Sequence, residues 1–233
     1  MAITKTKEHP ILFNTEMVKA ILEGGKTQTR RVIVAQTGEW KGKQPIDVLP
    51  LGLMKIPNEW VGLMQHDPNR GQVFKCRYGQ PGDRLWVKET HYIDLPLRDN
   101  VLRAIFKDGS EKFTTGEYIA NYCDVRGLKW RPSIFMPKWA ARIWLEITKV
   151  KVERLQEITE EDAKAEGCPS IMLRGKNGQL FDGVIPTFWF EEKWDSLNAK
   201  RKVDLTTNLD TIYPYSWRAN PWVWVIEFRK LDV

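Results

Sequence analysis

The sequence predicts an α+β fold, a small β-barrel enlarged by loops and flanked by helices, in a single domain spanning 1–233. Three observations lead there. Segments 84–90, 101–107, 142–152 and 222–228 alternate or run apolar over strand-like lengths. Helical spacing with good caps appears in only a few places. Two stretches, about 35–80 and 168–186, carry little hydrophobic period and read as large insertions.

The first helix follows Asn14, a favourable N-cap, with Glu16 in the first turn and Met17, Val18, Ile21 and Leu22 as its apolar stripe. Gly24 and Gly25 end it, because glycine takes the left-handed conformation at no steric cost. Residues 26–33 then read as extended. As a strand they place Thr27, Thr29 and Arg31 on one face and Gln28, Arg30 and Val32 on the other. The insertion at 35–80 ends in a strand-like run at 73–78. A turn, Gly79 to Asp83, leads into the segment where Leu85, Val87 and Glu89 alternate with Trp86, Lys88 and Thr90. Residues 130–139 form a proline-punctuated loop. Ile143, Leu145 and Ile147 share one face of the next strand. Thr159 and Asp162 resemble a capping box, and Gly167 stops that short helix after Glu166. Phe190, Trp194 and Leu197 give helical spacing over 188–200, and 222–228 is the closing strand.

Composition narrows the function. Of 233 residues, 42% are hydrophobic and 28% charged, which excludes wholesale disorder. No apolar run is long enough for a membrane helix, and the N-terminus lacks a secretory pattern, so the expected location is the cytoplasm. Cys76, Cys123 and Cys168 are odd in number and widely spaced, which suits a reducing compartment. The net charge of +6 tolerates phosphate-bearing partners. Eleven Trp residues are several times ordinary usage; they pack cores, and they also stack bases. Phosphate-loop, dinucleotide-binding and nucleophile-elbow motifs are absent. His9, His66 and His91 are isolated, and no Cys pair has zinc spacing, so neither a metal nor another cofactor is expected.

What remains is the helix–strand corner. Lys26, Thr29 and Arg31 put an amine, a hydroxyl and a guanidinium in one small patch. A lysine with a depressed pKa can take the Thr proton, and the alkoxide can attack an acyl carbon. A merely solvated basic corner accounts for the same three residues.

The run from Ile21 to Arg31 resembles the signature of the ASCH family, in which Gly-x-Lys is followed after two residues by Glu or Thr, then one residue, then Arg. Gly24, Lys26, Thr29 and Arg31 hold those positions. Residues 82–89 resemble the family's next strand, 132–143 the proline-rich loop of its longer, phage-type members, 155–167 its capped helix, and 220–225 their ending. Phe135 stands where longer relatives often carry His. The resemblance implies a PUA-like barrel, with bacteriophage origin implied by the longer members. It also implies an amidohydrolase that removes the acyl group from N4-acetylcytidine. Under it Thr29 is the nucleophile, Lys26 its activating base and Glu166 the acid–base or positioning carboxylate. The residues themselves offer four substrate contacts: Arg31 to pair with a phosphate or orient Glu166, Glu89 to accept from a cytosine amino edge, and Trp139 and Arg142 to stack on a base or grip phosphate. Each has a structural alternative: Arg31 bridging strands, Glu89 paired with a nearby cation, Trp139 packed, and Arg142 at the rim.

The partner expected on that reading is a modified cytosine nucleoside or nucleic acid. Two other functions stay open. One is a PUA-like module that binds RNA or DNA without catalysis, using Arg30, Arg31, Lys129, Arg131 and 200–202 interleaved with Trp. The other is a metal-independent ribonuclease.

Overall fold

The computed structural model describes residues 6–34, 47–50, 59–64, 67–94, 101–115, 129–170, 172–174, 179–199 and 215–232. Cys123, His66 and the basic run 200–202 lie outside them. Along the chain the elements are β1 (Glu8–Leu12), α1 (Thr15–Leu22), β2 (Gln28–Val32), β3 (Asp47–Pro50), β4 (Glu59–Met64) and β5 (Asp67–Lys75). Next come β6 (Arg84–Lys88), β7 (His91–Asp94), β8 (Val101–Phe106), β9 (Glu111–Thr115) and β10 (Trp144–Arg154). The rest are α2 (Glu160–Ala165), β11 (Met172–Arg174), β12 (Leu180–Asp182), α3 (Pro186–Asn198) and β13 (Trp222–Leu231).

The central sheet has the order β1-β6-β10-β13-β2. β1 runs parallel to β6, and the other neighbours are antiparallel. The sequence gives no strand at 8–12, since Glu8, His9 and Pro10 hide the pattern. Pro10 fits because β1 is an edge strand, where the missing N–H costs no ladder bond. The expected barrel is not closed by strand pairing among the described residues: β1 and β2 are both sheet edges. Side chains span the gap instead. Arg31 Nη2 donates to the Leu12 carbonyl at 2.7 Å, and the Arg31 guanidinium lies 5.3 Å from the Phe13 ring centre.

One face of this sheet carries the main core: Ile11, Phe13, Leu85, Val87, Ile143, Leu145, Ile147, Ile226 and Phe228, closed by Val18 and Ile21 of α1. Val223 and Val225 of β13 face the other way, onto Ala163 of α2 and Phe190 and Trp194 of α3. α1 begins as expected, with Asn14 Oδ1 accepting from Met17 N at 2.8 Å. α3 starts at Pro186, two residues before its apolar spacing shows, because proline suits the first helical turn.

The insertions hold regular structure that their composition conceals. Within 35–80 lies a three-stranded antiparallel sheet, β3-β4-β5, and within 168–186 a hairpin of β11 and β12. A third small sheet, β7-β8-β9, also exceeds the single strand expected there. Among the described residues no helix is long and apolar enough to cross a membrane.

Candidate active site

Two chain segments meet at Lys26. Gly24 ends α1 with φ of +81°, and Lys26 N then donates to the Ala20 carbonyl at 3.0 Å. Thr27 N donates to the Ala165 carbonyl at 2.9 Å, so the end of α2 docks directly on the start of β2. α2 is only six residues long and relies on its capping box, where Thr159 Oγ1 accepts from Asp162 N at 3.1 Å. Glu166 is its C-cap. Gly167 follows at φ of +98°, where a Cβ would sit 3.1 Å from Ala20 Cβ and 3.3 Å from Lys26 Cβ. Glycine is needed there twice over, for its backbone angle and for that close approach.

The result is a buried pair. Lys26 Nζ donates to Glu166 Oε2 at 2.8 Å, to the Glu166 carbonyl at 2.7 Å and to the Gln28 carbonyl at 2.8 Å. The two side chains are 0% and 5% exposed, so water screens neither. Burial pulls the Lys26 ammonium below the usual lysine value, and the Glu166 carboxylate partly restores it. Three acceptors use the three protons of an ammonium. Thr29 lies on β2, pairs with Ile226 and is buried on the main-core face. No hydrogen bond joins its hydroxyl to Lys26 among the described residues. The structure thus brings Lys26 and Glu166 into contact, and places Thr29 on the adjoining strand without a hydrogen bond from Lys26.

Glu166 has a second cation, and it is Arg30 rather than Arg31. Arg30 Nη1 approaches Glu166 Oε1 at 3.4 Å, while Nη2 bonds Asp162 Oδ2 at 2.9 Å and Glu153 Oε2 at 3.2 Å. Its guanidinium stacks on Phe190 at 5.8 Å. Strand alternation decides the matter: Arg30 shares the α2-facing side with Gln28, whose Nε2 donates to Asp162 Oδ1 at 3.2 Å. Burial raises the Asp162 pKa, but Arg30, Gln28 and Lys151 together outweigh it and the net shift is downward. The structure adds Arg30, Asp162 and Gln28 to this corner; the sequence offered Arg30 only as a nucleic-acid contact and the other two not at all. The signal was present in the face assignment, which put Arg30 opposite Arg31, together with the acidic capped helix.

The other sequence candidates form a separate arrangement. Arg142 grips Glu89 with both arms, Nε to Oε1 at 2.8 Å and Nη2 to Oε2 at 2.7 Å. Its remaining Nη1 reaches Asp108 Oδ2 at 2.8 Å and the Ser110 hydroxyl. Burial raises the Glu89 pKa, partly offset by Arg142. Burial also acts upward on Asp108, yet hydrogen bonds from Ser110 and Arg142 bring it down to about 2. Both Glu89 oxygens are therefore occupied by Arg142, which is the pairing alternative rather than a carboxylate offered to a base. Trp139 packs against Phe106, Met136 and Ala140 and lines a cleft that contains none of Lys26, Thr29 or Glu166. His91 is fully buried, with Nδ1 against the Glu89 carbonyl at 3.2 Å.

No family model matches the chain, and no curated protein matches it. Among solved structures it is similar to the high-resolution crystal structure of an ASCH domain from Lactobacillus crispatus JV V101. The identity is 11% and the TM-score 0.37, over 96% of this chain and 79% of that one. That likeness is distant. The chemistry of the Lys26 corner therefore stands on its own residues. Among the described residues no group of three His, Cys, Asp or Glu side chains is placed to hold a metal ion.

Proposed function

We propose that the chain is an ASCH-type, PUA-like amidohydrolase that removes the acyl group from N4-acylated cytosine nucleosides. The observation that supports it is the buried Lys26–Glu166 contact at 2.8 Å, made by residues 140 positions apart beside a strand-borne threonine. A short, buried contact between amine and carboxylate can carry a proton from one to the other. Lys26 passes a proton to Glu166 Oε2, and its depressed pKa favours this step. To take the Thr29 hydroxyl proton the freed amine turns from Glu166 toward Oγ1, a contact the resting arrangement does not make, and Oγ1 then attacks the acyl carbon. Collapse breaks the C–N bond, and the cytosine amine leaves with a proton returned by the pair. Water then hydrolyses the acyl-Thr29 ester. Arg30 fixes the carboxylate, and Arg31, on the Thr29 face, is the cation assigned to the substrate.

The test is incubation with N4-acetylcytidine and chromatography of released cytidine. Wild type and Thr29→Ser release cytidine, and Thr29→Ala, which keeps the Lys26–Glu166 pair, does not. Absence of cytidine with the wild type at high enzyme concentration refutes the proposal, and release by Thr29→Ala refutes the nucleophile.

A second reading is nucleic-acid binding without catalysis. It is favoured by Trp130, the exposed tryptophan among those described, which carries Lys107 Nζ 3.7 Å from its ring centre and stands between Lys129 and Arg131. Affinity for single-stranded RNA that falls steeply with salt, and survives Thr29→Ala, would select it.

A further inference from the structure

The outer face of the central sheet, opposite the main core, holds a cleft that neither reading uses. Its volume is about 320 Å³, within the range of roughly 300–1,000 Å³ typical of small-molecule sites. Glu8 of β1, Arg84 of β6 and Trp144 of β10 form its floor, and Lys112 of β9 with Lys138 and Trp139 of the proline-rich loop form its walls. The floor follows from register, since Glu8 stands opposite Arg84 in the β1–β6 pairing and Trp144 opposite Trp86 in the β6–β10 pairing.

The charges are unbalanced. Lys138 pairs with Glu8 and also sits 5.7 Å from the Trp144 ring centre. Arg84 and Lys112 have no carboxylate partner among the described residues. Three cations and one carboxylate thus line the cleft beside two partly buried indole rings. Cations gathered in a concave, low-dielectric wall raise the local concentration of anions. Indole faces add stacking for a flat ring.

We propose that this cleft binds a phosphorylated aromatic base, that is, one nucleotide, with its ring on the indoles and its phosphate on Lys112, Lys138 and Arg84. The phosphate displaces Glu8 from Lys138. The same chemistry is presented by a free 5′-nucleotide and by one unit of a single strand. The site is independent of the Lys26 corner and stands whether or not the chain hydrolyses acylated cytosine.

The test is calorimetric titration of the full chain at low salt with AMP, adenosine, inorganic phosphate and an adenine tetraribonucleotide. AMP carries no cytosine, so it is not the substrate of the proposed hydrolase. The expected result is AMP binding at least fivefold tighter than either adenosine or phosphate. Lys112→Ala and Lys138→Ala, both surface changes, each weaken AMP at least fivefold, while Thr29→Ala leaves AMP affinity unchanged. Tetranucleotide binding tighter than AMP assigns the site to a strand, and equal or weaker binding assigns it to the free nucleotide. No AMP binding at millimolar concentration, equal affinity for AMP and adenosine, or full affinity in both lysine variants overturns the proposal. Loss of AMP binding in Thr29→Ala also overturns it, by moving the ligand to the other site.

Discussion

Replacing Glu166 by Leu removes the carboxylate that faces Lys26 and leaves an ammonium with two carbonyl partners in a dry pocket. At an effective dielectric of about 20, a 2.8 Å ion pair represents ~6 kcal/mol of attraction. The protein does not lose all of it, because Lys26 can shed its proton. Starting from the usual lysine value of 10.5, deprotonation at pH 7 costs about 5 kcal/mol, which caps the penalty. We therefore expect Glu166→Leu to lose about 3–5 kcal/mol, as broken buried pairs do. The cap carries a sign. A neutral Lys26 in the variant means that its unfolded state binds one more proton than its native state. The penalty then shrinks as pH rises, by up to about 1.4 kcal/mol per unit. The double variant Lys26→Met/Glu166→Leu leaves no orphaned charge, and Arg30 keeps Asp162 and Glu153. It should be more stable than Glu166→Leu alone. Urea unfolding at pH 7 and 9, with unchanged m-values, measures all three terms. A Glu166→Leu loss under 1 kcal/mol, or a double variant less stable than the single, would falsify the buried ion pair as the element that seats α2 on β2.

Three further outcomes follow from the same geometry. Gly167→Ala should cost about 1–3 kcal/mol, since the new Cβ meets both a left-handed backbone and Ala20 Cβ at 3.1 Å; an unchanged urea midpoint contradicts this. Burial holds the His91 pKa below its usual 6.5, so the unfolded chain takes up the proton first and stability falls as pH drops from 6.5 through the folded value. His91→Gln should lose that slope between pH 7 and 5.5 in thermal melts, and a slope equal to wild type argues against it. Asp108 contributes stability that is complete above 3.8 and lost as pH falls through about 2. Asp108→Asn should flatten the acid limb across that window, read by tryptophan fluorescence during acid titration.

Local signals fixed a good part of this molecule in advance. Asn14, the paired glycines after Leu22, and Thr159 with Gly167 determine both ends of α1 and α2, because caps act within a few residues. The alternation of Leu85 and Val87, and of Ile143, Leu145 and Ile147, chose the core face of β6 and β10. Period two within residues 28–32 already put Arg30 and Arg31 on opposite faces. Which face meets α2 was not legible, because it depends on how β13 and α3 pack over a range of roughly two hundred residues. That packing gave Glu166 to Arg30 and left Arg31 on Phe13. Glu89 and Arg142 show the same limit, since their two-armed pairing joins residues 53 positions apart. β1 escaped notice because an edge strand buries one side chain fully and tolerates Pro10. The sequence thus determined the capped helices, the core-facing strands and the chemical types gathered near Lys26. The tertiary structure decided which charges neutralise each other and which, like Arg84 and Lys112, meet no carboxylate among the described residues. Residue spacing governs local hydrogen bonding, but partners for buried charges are chosen by long-range packing.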